Sequence, residues 1–250
     1  MSFYSSHLDR IGPQPLTNKC IVLDLDECLL HTFSDNVLSR LGVFTDPKLQ
    51  RLRKRCYNLK IRDAFVPKGT GRVDIVQGIK RPHLNDFLIF CFAYFKVVAV
   101  WSAGRRSYVE AIVREIFKDI QPPHVVYTWD NLRKNYGGQK YDKPLLKMIA
   151  EVPQLDRYMN LQNTFMMDDR SSSFLDNPLN GIEIPAYDPE PTLQELQADD
   201  VALLQVQQWL RQPSVAQATI FSTPLDNNQG YVPSKSTIAQ INPIRLIPVV

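Results

Sequence analysis

Two carboxylates stand two positions apart at the end of an apolar run. Residues 21–23 lead directly into Asp24 and Asp26. Successive side chains of a strand point to opposite faces, so both carboxylates face the same side if the backbone stays extended. Ligands of open parallel sheets bind at the carboxyl ends of the strands. One such Asp could merely cap a turn, but burying two carboxylates without a partner is costly, which favours a chemical role.

The elements that must position these carboxylates are indicated by four short runs rich in valine, isoleucine and aromatic residues, typical of buried strands. They are Cys20–Leu25, Lys96–Trp101, Val125–Thr128 and Thr164–Met167. Helical patterns lie between and after them, at Pro82–Tyr94, Tyr108–Phe117, Leu145–Ala150 and Asp199–Leu210. The alternation predicts an α/β domain whose parallel sheet is covered by helices on both faces.

A long insertion, from about Ser34 to Gly78, separates the first strand from the first helix. Its segment Arg51 to Arg62 contains basic residues and no acidic residue. The basic residues are Arg51, Arg53, Lys54, Arg55, Lys60 and Arg62. A solvated basic helix face is the simpler interpretation, and a docking surface for an acidic or phosphorylated partner is the alternative.

The composition excludes several classes of protein. The 250 residues are 44% apolar and 22% charged, as in globular proteins and unlike disordered or coiled-coil chains. A formal net charge of +3 gives no reason to expect direct binding to nucleic acid. The longest apolar stretch, Phe87–Trp101, is too short to be a membrane helix. Four cysteines without a C-x-x-C pair and a polar N-terminal segment predict an intracellular location, in the nucleus or cytoplasm.

Further motifs follow the two carboxylates in order along the chain. They are Lys80-Arg81-Pro82, Val100-Trp-Ser-Ala-Gly104, Lys143-Pro-Leu145 and Asn163-Thr-Phe-Met-Met-Asp168-Asp169. Together with the D-x-D motif at 24–26, this set resembles the haloacid dehalogenase superfamily. More narrowly, it resembles the phosphatases that act on the carboxy-terminal domain of RNA polymerase II. The segment 174–181 is most similar to the branch with an additional ubiquitin-like domain, for which the short N-terminal segment leaves no room.

This resemblance implies a Rossmann-like parallel sheet of haloacid dehalogenase type with an insertion after the first strand. The expected organisation is an N-terminal arm at 1–18, a phosphatase domain at 19–211 and an irregular C-terminal tail at 212–250. The tail is almost uncharged, and its end, Ile244–Val250, could add a strand to a sheet edge.

The resemblance also implies the roles of the acidic residues. Asp24 would attack phosphorus and form an aspartyl-phosphate, and Asp26 would protonate the leaving oxygen and then activate water. Magnesium would be held by the Asp24 carboxylate, the main-chain carbonyl of Asp26 and Asp169. Asp168 would orient Lys143, although either member of the Asp168–Asp169 pair could be the direct ligand.

Other motif residues would bind the phosphate. Ser102 would donate its hydroxyl to a phosphate oxygen, with the backbone N–H of Ala103 beside it. Lys143 would place an ammonium on the phosphoryl group. Cys28 is interpreted as a small buried side chain and His31 as a packing residue.

The expected activity is that of a magnesium-dependent protein serine/threonine phosphatase whose partner is a phosphoprotein or phosphopeptide, with the polymerase domain as the substrate implied by the resemblance. A phosphatase of another phosphoprotein is one alternative. A binding module that keeps the fold without turnover is another. The sequence leaves the oligomeric state open.

Overall fold

The structure is a computed structural model that describes residues 5–12, 15–134, 141–217 and 220. The strands are β1 (Ser5–Ser6), β2 (Cys20–Leu23), β3 (Leu30–Phe33), β4 (Cys56–Arg62), β5 (Val73–Lys80), β6 (Val97–Trp101), β7 (Val125–Tyr127), β8 (Arg133–Lys134), β9 (Tyr141–Asp142), β10 (Thr164–Asp168) and β11 (Gly181–Glu183). The α-helices are α1 (Val37–Arg40), α2 (Gln50–Arg53), α3 (Leu84–Tyr94), α4 (Arg106–Ile116), α5 (Leu145–Glu151), α6 (Leu193–Gln197), α7 (Ala202–Leu210) and α8 (Pro213–Gln217).

A central sheet with the strand order β1-β7-β6-β2-β10-β11 organises the chain. Its strands are parallel except for β1, which pairs antiparallel with β7. Every residue of β2, β6, β7 and β10 is buried, because both faces of the sheet are covered. The four predicted strands are therefore confirmed, with ends shifted by one or two residues. Since β6 and β10 flank β2, the residues that follow these three strands meet at one edge of the sheet.

The predicted helices are also present, but two of them begin later than the sequence pattern suggested. α3 begins at Leu84 because His83 adopts a left-handed conformation with φ of 63°. α7 begins at Ala202, whose N–H donates to the Asp200 carboxylate at 3.0 Å. α4 packs the apolar face that its spacing predicts, with Tyr108, Ile112 and Ile116 buried.

The insertion contains its own antiparallel sheet in the order β3-β5-β4, and extends from β3 to the end of β5, beyond the predicted bounds. Gly78 of β5 is paired with Thr32 on one side and with Tyr57 on the other. A Cβ at Gly78 would overlap the hydroxyl end of Tyr57. Glycine at this position therefore allows the Tyr57 side chain to lie across β5 toward β3.

The basic segment 51–62 is a short helix followed by a strand, and its side chains differ in environment. The Arg53 guanidinium donates to the carbonyls of Val43 and Asp46 at 3.1 and 2.7 Å. The Arg55 guanidinium donates to Tyr187 Oη at 2.7 Å and to two further carbonyls. The remaining four are exposed: Arg51, Lys54, Lys60 and Arg62. Docking of an acidic partner on these four stays a prediction.

Segments before β2 and after α7 also contain regular secondary structure. β1 extends the central sheet, so part of the predicted arm is structured. α8 lies within the predicted irregular tail, whereas the possible strand Ile244–Val250 lies outside the described residues. Over the described parts of the chain, every helix falls short of the length and apolar character that crossing a membrane requires.

A buried arginine connects α7 to the loop after β2. The Arg81 guanidinium donates two hydrogen bonds of 2.9 Å to the Asp200 carboxylate and one of 3.0 Å to the Cys28 carbonyl. Its side chain is fully buried, whereas that of Asp200 is 27% exposed. The Tyr187 ring lies beside the guanidinium. The bidentate pair therefore fixes the loop that carries Asp24 and Asp26 against the C-terminal part of the domain.

Removing the counter-charge of Arg81 should destabilise the fold strongly. We expect Asp200→Ala to lower the free energy of unfolding by about 3 kcal/mol, because a buried guanidinium loses its carboxylate. The adjacent Asp199→Ala is the control, since Asp199 is 68% exposed and pairs with His83 at the surface. This variant should lower the free energy of unfolding by less than about 1 kcal/mol. Urea unfolding measures both, and equal losses would contradict the role of Arg81.

Candidate active site

A cleft of about 550 Å³ opens at the carboxyl edge of the central sheet, where the motif residues converge. Four carboxylates line it: Asp24, Asp26, Glu27 and Asp169. Phe33, Phe65 and Tyr108 form an apolar wall. The wall comes from the insertion and α4, whereas the carboxylates follow β2 and β10. The cleft therefore lies between the insertion and the central sheet.

The backbone after β2 explains why both aspartates reach the cleft. The Asp24 N–H donates to the Met167 carbonyl at 2.9 Å, which keeps the chain extended beyond Leu23. Leu25 is fully buried on the opposite side, so the alternation expected from the sequence holds. Glu27 then turns the chain with a left-handed φ of 56°. The two carboxylates thus belong to one short extended segment.

Lys143 places its ammonium between two carboxylates. Its Nζ donates to Asp24 Oδ1 at 2.5 Å and to Asp168 Oδ2 at 2.6 Å. All three side chains are at most 8% exposed. Burial would lower the pKa of Lys143, but the two carboxylates raise it overall, so the ammonium stays charged. Lys143 lies behind the cleft wall that the described residues form, where it orients Asp24.

The two consecutive aspartates after β10 have different surroundings. Asp168 is fully buried, and its Oδ1 accepts a hydrogen bond from the Arg170 N–H at 2.9 Å. Burial opposes ionisation of Asp168, but Lys143 outweighs it and lowers the pKa. Asp169 is half-buried and lines the cleft, and burial raises its pKa to about 6. The geometry therefore directs Asp168 toward Lys143 and Asp169 toward the cleft.

The donor set fits a hard divalent cation. Carboxylate oxygens of Asp24, Asp168 and Asp169 lie within 4.8 Å of one another. Burial, together with the neighbouring Asp168 carboxylate, raises the pKa of Asp24 well above its usual range, because the opposing effect of Lys143 is smaller. Oxygen-only ligands with an excess of negative charge are the environment that magnesium prefers.

Asp26 is held from the insertion side of the cleft. Its Oδ1 accepts a hydrogen bond from Tyr108 Oη, and its Oδ2 lies 3.5 Å from Ser102 Oγ. Burial raises the pKa of Asp26 to about 6. A carboxyl group with this pKa is partly protonated near neutral pH, as an acid–base group requires.

Ser102 and Ala103 follow β6 as predicted, but they differ in accessibility. Ser102 is fully buried, and its Oγ accepts a hydrogen bond from the Gly104 N–H at 2.9 Å. Ala103 lines the cleft, together with Arg105. The structure thus brings the loop of Ser102 to the carboxylates, and it presents Ala103 rather than the Ser102 side chain on the cleft wall.

The remaining sequence expectations concern individual side chains. Cys28 is fully buried, as expected. His31 packs against the edge of Phe33 with ring centroids 4.6 Å apart, as expected of a packing residue. Trp101 is also fully buried, with its ring against Tyr127 and away from the cleft.

Sequence reasoning missed two features of the site. Arg105 and Arg170 line the cleft, and their only signal was that each directly follows a motif. Thr32 and Tyr57 form hydrogen bonds that lead to Tyr108, and no motif contains them.

Comparison with known proteins shows the family of this chain. A family model described as NLI interacting factor-like phosphatase matches residues 19–219. The chain belongs to this family. The predicted family and the predicted class of enzyme, a phosphatase, are thereby confirmed.

Individual relatives cover the chain to different extents. It is 25% identical over 198 residues to the CTD phosphatase-like protein 355R of Invertebrate iridescent virus 3, over 77% of this chain and 95% of that protein. It is 30% identical over 115 residues to a ubiquitin-like domain-containing CTD phosphatase of Arabidopsis thaliana, over 44% of this chain but only 33% of that protein.

Solved structures show the same fold. An RNA polymerase II CTD phosphatase, Fcp1, has a TM-score of 0.53 at 16% identity, over 77% of this chain and 49% of that chain. Fission yeast Fcp1 bound to beryllium fluoride has a TM-score of 0.51 at 16% identity, over 76% and 49%. The chain thus spans about half the length of these structures. The predicted haloacid dehalogenase-type fold is confirmed.

Loss of Lys143 should leave two buried carboxylates facing each other. We expect Lys143→Met to lower the free energy of unfolding by about 3 kcal/mol at neutral pH. The loss should grow as pH rises, because Lys143 lowers the pKa of Asp24 and of Asp168 in the intact protein. Without it, burial raises the folded-state pKa of both carboxyl groups further, so their deprotonation opposes folding more strongly than in the intact protein.

A double variant separates this effect from a packing defect. Adding Asp24→Asn to Lys143→Met removes one of the two carboxylates and should recover part of the stability, whereas Asp24→Asn alone leaves Lys143 paired with Asp168. Urea unfolding across a pH series measures all three variants. Additive losses would show that Lys143 and Asp24 do not interact.

Proposed function

We propose that the chain is a magnesium-dependent protein serine/threonine phosphatase that works through an aspartyl-phosphate on Asp24. The observation that carries this proposal is the arrangement of Lys143 between Asp24 and Asp168, with Asp26 and Asp169 in the same cleft. It provides an oriented nucleophile, a separate acid–base carboxyl group and ligands for a cation, which are the components phosphoryl transfer needs.

The first step would use two carboxyl groups in different roles. Lys143 holds Oδ1 of Asp24, which leaves Oδ2 to attack phosphorus. The new bond joins Oδ2 to phosphorus while the bond from phosphorus to the serine or threonine oxygen breaks. Protonated Asp26 gives its proton to that leaving oxygen, so the side chain departs as an alcohol.

The second step would regenerate the site. Asp26, now ionised, takes a proton from a water molecule whose oxygen attacks phosphorus. The bond between phosphorus and Asp24 breaks, and inorganic phosphate is released. Asp26 therefore works first as an acid and then as a base. Its hydrogen bond with Tyr108, in place of an ion pair with Lys143, supports this double role.

The cation would be held by the Asp24 carboxylate, the main-chain carbonyl of Asp26 and Asp169, while Asp168 orients Lys143. When bound, magnesium supplies positive charge next to the phosphoryl oxygens. The backbone N–H of Ala103, with the Ser102 hydroxyl in the same loop, would bind a phosphate oxygen. Lys143 contributes through Asp24, because its ammonium already binds two carboxylates.

The substrate would be a phosphoserine or phosphothreonine side chain within a polypeptide. The cleft is open and has an apolar wall beside Arg105 and Arg170, which suits a peptide better than a small metabolite. Several relatives are named CTD phosphatases, and the two solved structures are of RNA polymerase II CTD phosphatases, which makes that domain the substrate to test first. An intracellular location and docking of an acidic partner on the exposed basic residues of 51–62 stay predictions.

Replacing the nucleophile tests the covalent mechanism. We expect Asp24→Asn to abolish turnover of p-nitrophenyl phosphate and of a phosphoserine peptide, because the amide keeps the shape but cannot form the acyl-phosphate. Asp26→Asn should lower kcat on the peptide at least ~10²-fold. Asp156→Asn, at an exposed position outside the cleft, is the control and should leave turnover unchanged. Near-normal turnover by folded Asp24→Asn protein would exclude the aspartyl-phosphate.

Metal dependence tests the ligand assignment. EDTA should abolish turnover, magnesium should restore it, and zinc alone should not, because the ligands are all oxygen atoms. We expect Asp169→Asn to raise the magnesium concentration for half-maximal activity and to weaken magnesium binding in calorimetry. Tight binding retained by Asp169→Asn would assign the ligand role to Asp168 instead.

A further inference from the structure

A chain of three hydroxyl groups leads from the insertion to Asp26. Tyr57 Oη and Thr32 Oγ1 are 2.6 Å apart, and Thr32 Oγ1 and Tyr108 Oη are also 2.6 Å apart. Tyr108 Oη then binds Asp26 Oδ1. The three residues come from β4, β3 and α4. Both tyrosine side chains are almost fully buried, at 3% and 4% exposure.

The direction of these hydrogen bonds follows from the chemistry of their end point. An ionised carboxylate only accepts, and a carboxyl group protonated on Oδ2 still accepts at Oδ1, so Tyr108 donates its single hydroxyl proton to Asp26 in both states. Tyr108 must then accept from Thr32, and Thr32 must accept from Tyr57. Each hydroxyl thus donates once toward Asp26, and the chain is polarised along its length.

The insertion sheet leaves space for the chain of hydroxyl groups at Gly78. Gly78 lies between Thr32 and Tyr57 in the register of the insertion sheet. Any Cβ at Gly78 would overlap the Tyr57 hydroxyl. A side chain on β5 would therefore separate the two hydroxyl groups, and the insertion sheet could not reach Asp26 through Tyr57.

We propose that the Tyr57–Thr32–Tyr108 hydroxyl chain is a positioning device for the acid–base carboxyl group of Asp26. By holding Oδ1, it leaves Oδ2, the oxygen near Ser102, to exchange the proton with the leaving oxygen and with water. The inference rests on the proposed function, because it explains how the acid of that mechanism, Asp26, is oriented. It gives the insertion sheet a part in the chemical step.

Leaving groups that differ in basicity distinguish positioning of an acid from general damage to the site. A serine alkoxide and an unsubstituted phenolate are basic and need a proton as the bond to phosphorus breaks. The p-nitrophenolate ion is much less basic and departs without one. Because kcat/KM covers only the steps up to departure of the leaving group, it excludes the second step, in which Asp26 acts as a base on every substrate. Phenyl phosphate and p-nitrophenyl phosphate have nearly the same shape, so the ratio of their kcat/KM values reports on proton donation rather than on binding.

The experiment measures kcat/KM for phenyl phosphate, p-nitrophenyl phosphate and a phosphoserine peptide with the full chain and magnesium. We expect Tyr108→Phe to lower kcat/KM for phenyl phosphate and the peptide about tenfold more than kcat/KM for p-nitrophenyl phosphate. Thr32→Val should show the same selectivity with a smaller loss. Tyr57→Phe, which is farther from Asp26 along the hydroxyl chain, should show the smallest loss. Among the described residues, Tyr57 does not line the cleft. Tyr57→Phe therefore tests the hydroxyl chain without changing a residue that contacts substrate.

A double variant tests whether the hydroxyl groups act in series. Once Tyr108→Phe has removed the bond to Asp26, adding Tyr57→Phe should cause no further selective loss. Tyr94→Phe is the matched control, because it removes a buried tyrosine hydroxyl that binds the Leu210 carbonyl far from the cleft. It should leave the ratio of kcat/KM for phenyl phosphate to kcat/KM for p-nitrophenyl phosphate unchanged.

Three outcomes would overturn the inference. They are an equal loss of kcat/KM on all three substrates, a loss confined to the peptide, and a selective loss for Tyr57→Phe that persists in the Tyr108→Phe background. Failure of the unaltered chain to hydrolyse any of the substrates would instead contradict the proposed function, and the positioning role with it. The two failures are therefore distinguishable.

Discussion

The ammonium of Lys143 and the two carboxylates that share it form the interaction on which the site depends. Asp24 ends one strand segment, Asp168 ends the neighbouring strand, and both carboxylates are removed from water. Two buried negative charges at adjacent strand ends would repel each other, and the single cation between them makes their proximity tolerable. The same cation fixes one oxygen of Asp24 and leaves the other for chemistry.

The second carboxyl group of the motif is controlled from a different part of the fold. Asp26 is two residues from Asp24, yet its Oδ1 accepts from Tyr108 of α4, which the insertion sheet contacts through Thr32, whereas Asp24 pairs with Lys143. The two aspartates therefore occupy different environments although they belong to one extended segment. This separation suits two roles that require opposite protonation states at the start of a reaction cycle.

The central sheet was predictable because its strands are continuous apolar runs, and the acidic motif could be placed at their carboxyl ends by topology alone. The pairing of Asp168 with Lys143 followed from the family pattern. The insertion sheet was not predicted, since β4 and β5 mix polar and apolar residues and resemble a solvated basic segment. Neither the Tyr57–Thr32–Tyr108 contacts nor the Arg81–Asp200 pair could be found, because they join residues far apart in sequence with no local signal.

The distances in sequence between these partners have a consequence for how the protein reaches its native state. Lys143 is 119 residues from Asp24, and Asp200 is also 119 residues from Arg81. Contacts between such distant residues form late, because the loops between them must close first. During synthesis the acidic motif therefore emerges long before Lys143, its counter-charge, and Arg81 emerges long before Asp200. A ribosome stalled before Lys143 would display the signature motif without the ammonium that pairs with Asp24, and so without a functioning centre.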